Sequence, residues 1–145
     1  MRICVIDGQG GGLGRSLIEK LRSVLPKDIH ITALGTNSAA TLAMIKAGAT
    51  DGATGENAII YNVEDTDVIT GPIGIIAANS MLGELTPVMA NAISKSKAYK
   101  ILVPINKCNV LITGTVDIPL PELIDRTVKA IIAFIKKEEW SDRNN

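Results

Sequence analysis

The densest chemical signal in the sequence is Asp7-Gly8-Gln9-Gly10-Gly11-Gly12-Leu13-Gly14-Arg15-Ser16, with glycine at 8, 10, 11, 12 and 14. Glycine lets backbone N–H groups approach an anionic oxygen that a Cβ would block. Where such a loop opens a helix, unpaired N–H groups and the positive end of the helix dipole add to the attraction. Gly8, Gln9, Gly10, Gly11, Gly12, Leu13 and Gly14 are therefore the candidate residues for holding a phosphate-bearing ligand. Asp7 stands at the mouth of this loop, where a carboxylate repels a phosphate unless a cation intervenes. It could coordinate Mg²⁺, although the simpler reading is that it accepts hydrogen bonds from the loop's own N–H groups.

Other reactive side chains fall in segments that follow apolar runs. Thr36, Asn37 and Ser38 could hydrogen-bond a ribose or a phosphate, and equally could cap the helix that follows them. Glu56 and Glu84 are candidate bases or metal ligands, or carboxylates placed for a helix dipole. Gly71, Pro72 and Asn79 border the same predicted crevice. Lys107 supplies a cation there, and it could lower the thiol pKa of its neighbour Cys108. His30 and Cys4 lie inside apolar runs and read as structural residues.

These residues need elements to position them. Arg2 to Ile6 is a continuous apolar run, as expected of a strand buried on both faces. Helical spacing begins at Arg15, with Leu17, Ile18, Leu21 and Val24 on one face, and ends at Pro26. Ile29 to Leu34 reads as a second strand and Ser38 to Ala47 as a second helix. A short third strand is expected near Thr50 to Ala53. Ala58 to Val63 is strand-like in composition but is read as a helix, because only Glu64, Asp65 and Thr66 separate it from the next run, too few for a parallel crossover. Asp67 to Thr70 is strand 4, Leu85 to Ser94 a helix, Lys100 to Pro104 strand 5 and Asn109 to Thr113 strand 6. Pro121 to Glu139 is a final helix. The alternation predicts one α/β domain over residues 1–140, a doubly wound and mostly parallel sheet in a Rossmann-like three-layer sandwich, with a frayed polar tail at 141–145. In such a fold the loops at the carboxyl ends of the strands form the ligand crevice.

Composition narrows the partners. Fifteen Lys and Arg balance fifteen Asp and Glu, and aromatic residues make up only 3% of the chain. Neither a basic groove nor a set of stacking rings is available, so nucleic acid is not an expected partner. No leader or membrane span is read; Pro72 to Leu82 is too short to cross a bilayer. Two distant cysteines in apolar runs fit a reducing, cytoplasmic setting. The final helix carries a wide apolar arc of Ile124, Val128, Ile131, Ile132 and Ile135, with Ala130, Ala133 and Phe134 around it, which suggests a homodimer surface.

The spacing Gly8-x-x-x-Gly12-x-Gly14 resembles the dinucleotide loop of the short-chain dehydrogenase/reductase family, which implies NAD or NADP as cofactor and a redox or ligand-sensing role. That family's Tyr-x-x-x-Lys is missing, since Tyr61 is followed four residues on by Asp65 and Tyr99 by Val103. No acidic residue closes strand 2 to hold a ribose hydroxyl. Gly10 to Ser16 also resembles the deviant Walker motif of the partition-type ATPases, with Arg15 in place of the phosphate-reaching lysine, and implies a nucleotide hydrolase. The wording VIDGQGGGLGRSLIEKL, ALGTNSAATLAMIKAGATDGATGENAI and TGPIGIIAANSMLGELTPVMANAI is similar to a small uncharacterised bacterial family found mainly in anaerobic Firmicutes. That similarity implies a Rossmann-like fold and carries no activity. A non-catalytic regulatory or interaction module is the alternative expectation.

Overall fold

The computed structural model describes residues 1–105 and 109–144, apart from the side chains of Trp140 and Asn144. Five strands form a single sheet: β1 (Arg2–Asp7), β2 (His30–Gly35), β3 (Asp51–Thr54), β4 (Val68–Pro72) and β5 (Tyr99–Val103). Their order is β3-β2-β1-β4-β5, and every pairing is parallel. The helices are α1 (Gly12–Val24), α2 (Ser38–Lys46), α3 (Glu56–Asn62), α4 (Pro87–Lys95) and α5 (Leu120–Asn144), with a 3₁₀ turn at Ile73–Ile76. The expected doubly wound α/β fold is therefore present, with the sheet wholly parallel.

Alternation along β1 divides the core in two. Ile3 and Val5 pack with Leu17, Ile18 and Leu21 of α1, Met44 of α2, and Ile124, Val128, Ile131 and Ile135 of α5. Cys4 and Ile6 pack on the other face with Ile59 of α3 and Met89, Ala90 and Ile93 of α4. A strand buried on both faces must be apolar at every position, which is why β1 reads as a continuous run. The apolar arc of α5 is covered by its own sheet at Ile124, Val128, Ile131 and Ile135. Phe134 stacks on Tyr99 of the edge strand, with ring centroids 4.8 Å apart.

Several boundaries differ from the sequence reading, each for a local reason. Helix α1 begins at Gly12, three residues before the apolar periodicity starts, because Gly11 in left-handed geometry (φ 71°) already accepts the first helical hydrogen bond from the Arg15 N–H. Strand β4 continues through Gly71 and Pro72, paired with Leu102 and Val103. The tail expected to fray from Ser141 continues α5 to Asn144. Asn109 to Thr113 forms no strand; the Thr115 N–H and hydroxyl both reach back to the Ile112 carbonyl, and Gly114 at φ 84° turns the chain out of extended geometry. Ala58 to Asn62 is helical, with Val63 as the C-cap of α3, as the crossover argument requires. Among the described residues no helix is long and apolar enough to cross a membrane.

The crossover from β3 to β4 passes to the far side of β1, so β1 and β4 flank the switch point of the sheet. Gly71 makes that junction tight: a Cβ there would collide with the carbonyl oxygen of Ile6. We expect Gly71→Ala to lower the unfolding free energy by about 2–4 kcal/mol, measured by urea denaturation. An unchanged midpoint would mean the β1–β4 contact is looser than described.

Candidate functional site

Strand β1 ends at Asp7, whose side chain is on the α1 face of the sheet and only 5% exposed. One carboxylate oxygen accepts the Gly8 N–H at 2.8 Å, and the other accepts the Gly14 N–H at 2.8 Å. The carboxylate thus satisfies an orphan donor in the first turn of α1 and closes the glycine loop on itself. Burial pushes the Asp7 carboxyl above its ordinary pKa. The Gly14 and Gly8 N–H bonds oppose this shift, and the charge of Glu84 adds to it.

The loop is also held from its outer side. Glu84, beyond β4, accepts the Gln9 N–H at 3.1 Å, the Thr36 hydroxyl at 3.0 Å and the Asn37 side-chain amide at 2.6 Å. The same amide donates to the Gln9 carbonyl at 2.8 Å, while the Asn37 side-chain oxygen caps α2 by accepting the Ala40 N–H at 2.9 Å. Burial alone would raise the Glu84 carboxyl, but these hydrogen bonds from Asn37, Gln9 and Thr36 outweigh it and hold the pKa below its usual value. Two carboxylates, one on each side, therefore fix residues 8–14.

The five loop glycines divide into two kinds. A Cβ on Gly8 would meet Met81 and Thr36 at 2.6 Å, and one on Gly14 would run into the Met44 sulfur. Gly11 has φ 71° and lies 2.7 Å, by the same measure, from the Ala40 backbone. Folding alone accounts for these three. A Cβ on Gly10 or Gly12 would meet nothing within 4 Å, and neither residue has a positive φ. Their N–H groups make no hydrogen bond among the described residues. Both face a cleft of about 820 Å³ bounded by residues 7–13, Pro72 and Gly74 after β4, Met81, Leu82, Ile105 and Leu120. That volume falls in the range of small-molecule sites, and the position is the crevice expected at a switch point.

The expected site residues are only partly gathered here. Gly8 to Leu13 and Pro72 line the cleft, whereas Gly14, Thr36, Asn37, Ser38, Gly71 and Asn79 do not. Thr36 and Asn37 are engaged with Glu84. Glu56 lies in the first turn of α3 and accepts the Thr86 hydroxyl at 2.6 Å, joining α3 to the start of α4. Arg15 points along α1 to Glu19 at 2.9 Å and is not part of the cleft lining. His30 pairs with Asp51 at 2.9 Å, at the start of β2, away from the carboxyl ends of the strands. Lys107 and Cys108 lie outside the described residues. Among the described residues no group of three or more His, Cys, Asp or Glu is placed to hold a metal. Sequence reasoning missed Met81, Leu82, Ile105 and Leu120, whose apolar type gave no sign that they border a cleft.

The chain belongs to the family described as Domain of unknown function (DUF3842), which matches residues 2–136. None of the curated proteins matches it. A solved structure similar to it is a dodecameric FMN-dependent UbiX-like decarboxylase from Escherichia coli O157:H7, at 14% identity and a TM-score of 0.43, covering 94% of this chain and 95% of that one. The expectation of NAD or NADP is corrected here. The residues that carried it are otherwise engaged: Gly14 is committed to Asp7, and Thr36 and Asn37 are committed to Glu84.

Glu84 gives a signed pH dependence. Its proton binds less readily in the folded chain than in the unfolded one, so its contribution is complete above the ordinary glutamate pKa of about 4.3 and is lost as pH falls through the lower folded value. Glu84→Gln should cost about 1 kcal/mol at neutral pH, and the gap to the wild type should close on acidification. Denaturation midpoints at a series of pH values check this; a gap independent of pH would remove the charged network.

Proposed function

We propose that this member of the DUF3842 family binds a small ligand through an anionic group, a phosphate or its equivalent, laid over Gly10 and Gly12 at the β1–β4 switch point. The observation that carries the reading is the open space at these two glycines. Gly12 opens α1, and neither its φ nor its neighbours require glycine there. What the missing side chain provides is room for a ligand beside N–H groups that, among the described residues, make no hydrogen bond, at the positive end of α1. Asp7 does not oppose this arrangement with a bare charge, because both its oxygens are turned to loop N–H groups.

Binding, rather than a named reaction, is what this geometry supports. Asp7 is the one titratable side chain among the described residues lining the cleft, and it holds the loop together. The regulatory-module alternative differs in its use of the loop, which it keeps for packing alone.

Thermal unfolding with a panel of monophosphates that includes inorganic phosphate and FMN separates these readings. A ligand at about a hundred times its Kd stabilises the wild type by about 2.7 kcal/mol. Gly12→Val should keep the fold and lose that stabilisation, because its side chain enters the open cleft. An equal response in the variant, or no response in the wild type at millimolar ligand, would leave the loop a packing feature.

A further inference from the structure

The segment that follows the 3₁₀ turn departs from ordinary backbone geometry. Asn79, Met81, Leu82 and Gly83 have φ of 64°, 56°, 56° and 88°. Asparagine and glycine accept the left-handed region readily, whereas a bulky residue there is an outlier that folding alone does not favour. Leu82 is also 99% exposed. An exposed leucine is unremarkable by itself. A leucine that is both left-handed and bare, on the rim of a cleft, combines two costs that a glycine or asparagine at the same position would avoid.

The wall that Leu82 belongs to is non-polar. Among the described residues, the cleft beyond the glycine loop is bounded by Met81, Leu82, Ile105, Leu120, Pro72 and Gly74, none of which offers a side-chain hydrogen bond. A ligand body rich in hydroxyl groups would lose its water against this wall and gain no side-chain partner from it, at a penalty for each unpaired group. A hydrocarbon or aromatic body would instead cover Leu82 and its neighbours, and the methionine sulfur favours contact with a ring.

We infer that Leu82 is a specificity-determining residue, and that the ligand of this cleft is an anion carrying a hydroxyl-poor, non-polar body that packs against it. This rests on the anion-binding reading of Gly10 and Gly12. It extends that reading to the ligand's chemical class: an aryl or alkyl monophosphate is accepted and a sugar phosphate is not.

The test is isothermal titration of the full chain with 1-naphthyl phosphate, inorganic phosphate and glucose 6-phosphate, using wild type, Leu82→Asn and Gly12→Val. Asparagine tolerates the left-handed backbone, so Leu82→Asn should unfold at the same temperature as the wild type or about 2–4 °C higher. It should bind 1-naphthyl phosphate at least tenfold more weakly and inorganic phosphate unchanged. Gly12→Val should lose both. Equal wild-type affinity for 1-naphthyl phosphate and glucose 6-phosphate, or an unchanged preference in Leu82→Asn while Gly12→Val loses binding, overturns the inference and leaves the anion site standing. Failure of the wild type to bind any of the three overturns both.

Discussion

The structure of the cleft depends on one buried carboxylate. Asp7 closes the turn between β1 and α1 by accepting N–H groups six residues apart in the chain, Gly8 at its near end and Gly14 inside the helix. A helix entering from a glycine-rich loop has no side chain of its own to cap it, and Gly11 makes no side-chain cap bond. The preceding strand supplies that cap instead. With Asp7 consumed in this way, Gly10 and Gly12, which border the cleft, keep N–H groups that make no hydrogen bond among the described residues. Removing the carboxylate would leave two N–H groups without partners, one of them buried with Gly14, and would free the helix start from the strand end.

Glu84 completes the frame from the opposite side of the switch point. Its partners, Gln9, Thr36 and Asn37, come from the ends of β1 and β2, while Glu84 itself follows β4. One surface carboxylate thus joins three loops that the parallel topology brings to the same edge of the sheet. The two acids respond to burial differently because their donors differ. Asp7 is shifted upward by loss of water, which outweighs its N–H bonds, whereas Glu84 sits at a wetter position where the bonds from Asn37, Gln9 and Thr36 outweigh burial.

The sheet and its helices were legible because fully buried parallel strands and amphipathic helices write different periods into the chain. The start of α1 was not, since Gly12 and Gly14 carry no apolar side chain to mark the helical face. Asn109 to Thr113 has strand composition but its neighbours form a turn around Gly114, so local preference lost to chain direction. At the site, the loop residues were visible as glycines, but spacing alone cannot separate a glycine required by a neighbour, such as Gly8 against Met81 and Thr36, from one left open, such as Gly12. The role of Glu84 was hidden for a related reason: its partner Gln9 is 75 positions away, and no local pattern records such a contact. Leu82 was hidden because leucine ordinarily reports a core.

The division of the loop into committed and open amides can be read directly. A titration of ¹⁵N-labelled protein with inorganic phosphate, followed by amide chemical shifts, should move the Gly10 and Gly12 signals most, with Leu13 beside them. The Gly14 amide, already bonded to Asp7, should move little. Shifts spread over the surface lysines and arginines, with Gly10 and Gly12 unmoved, would contradict the account.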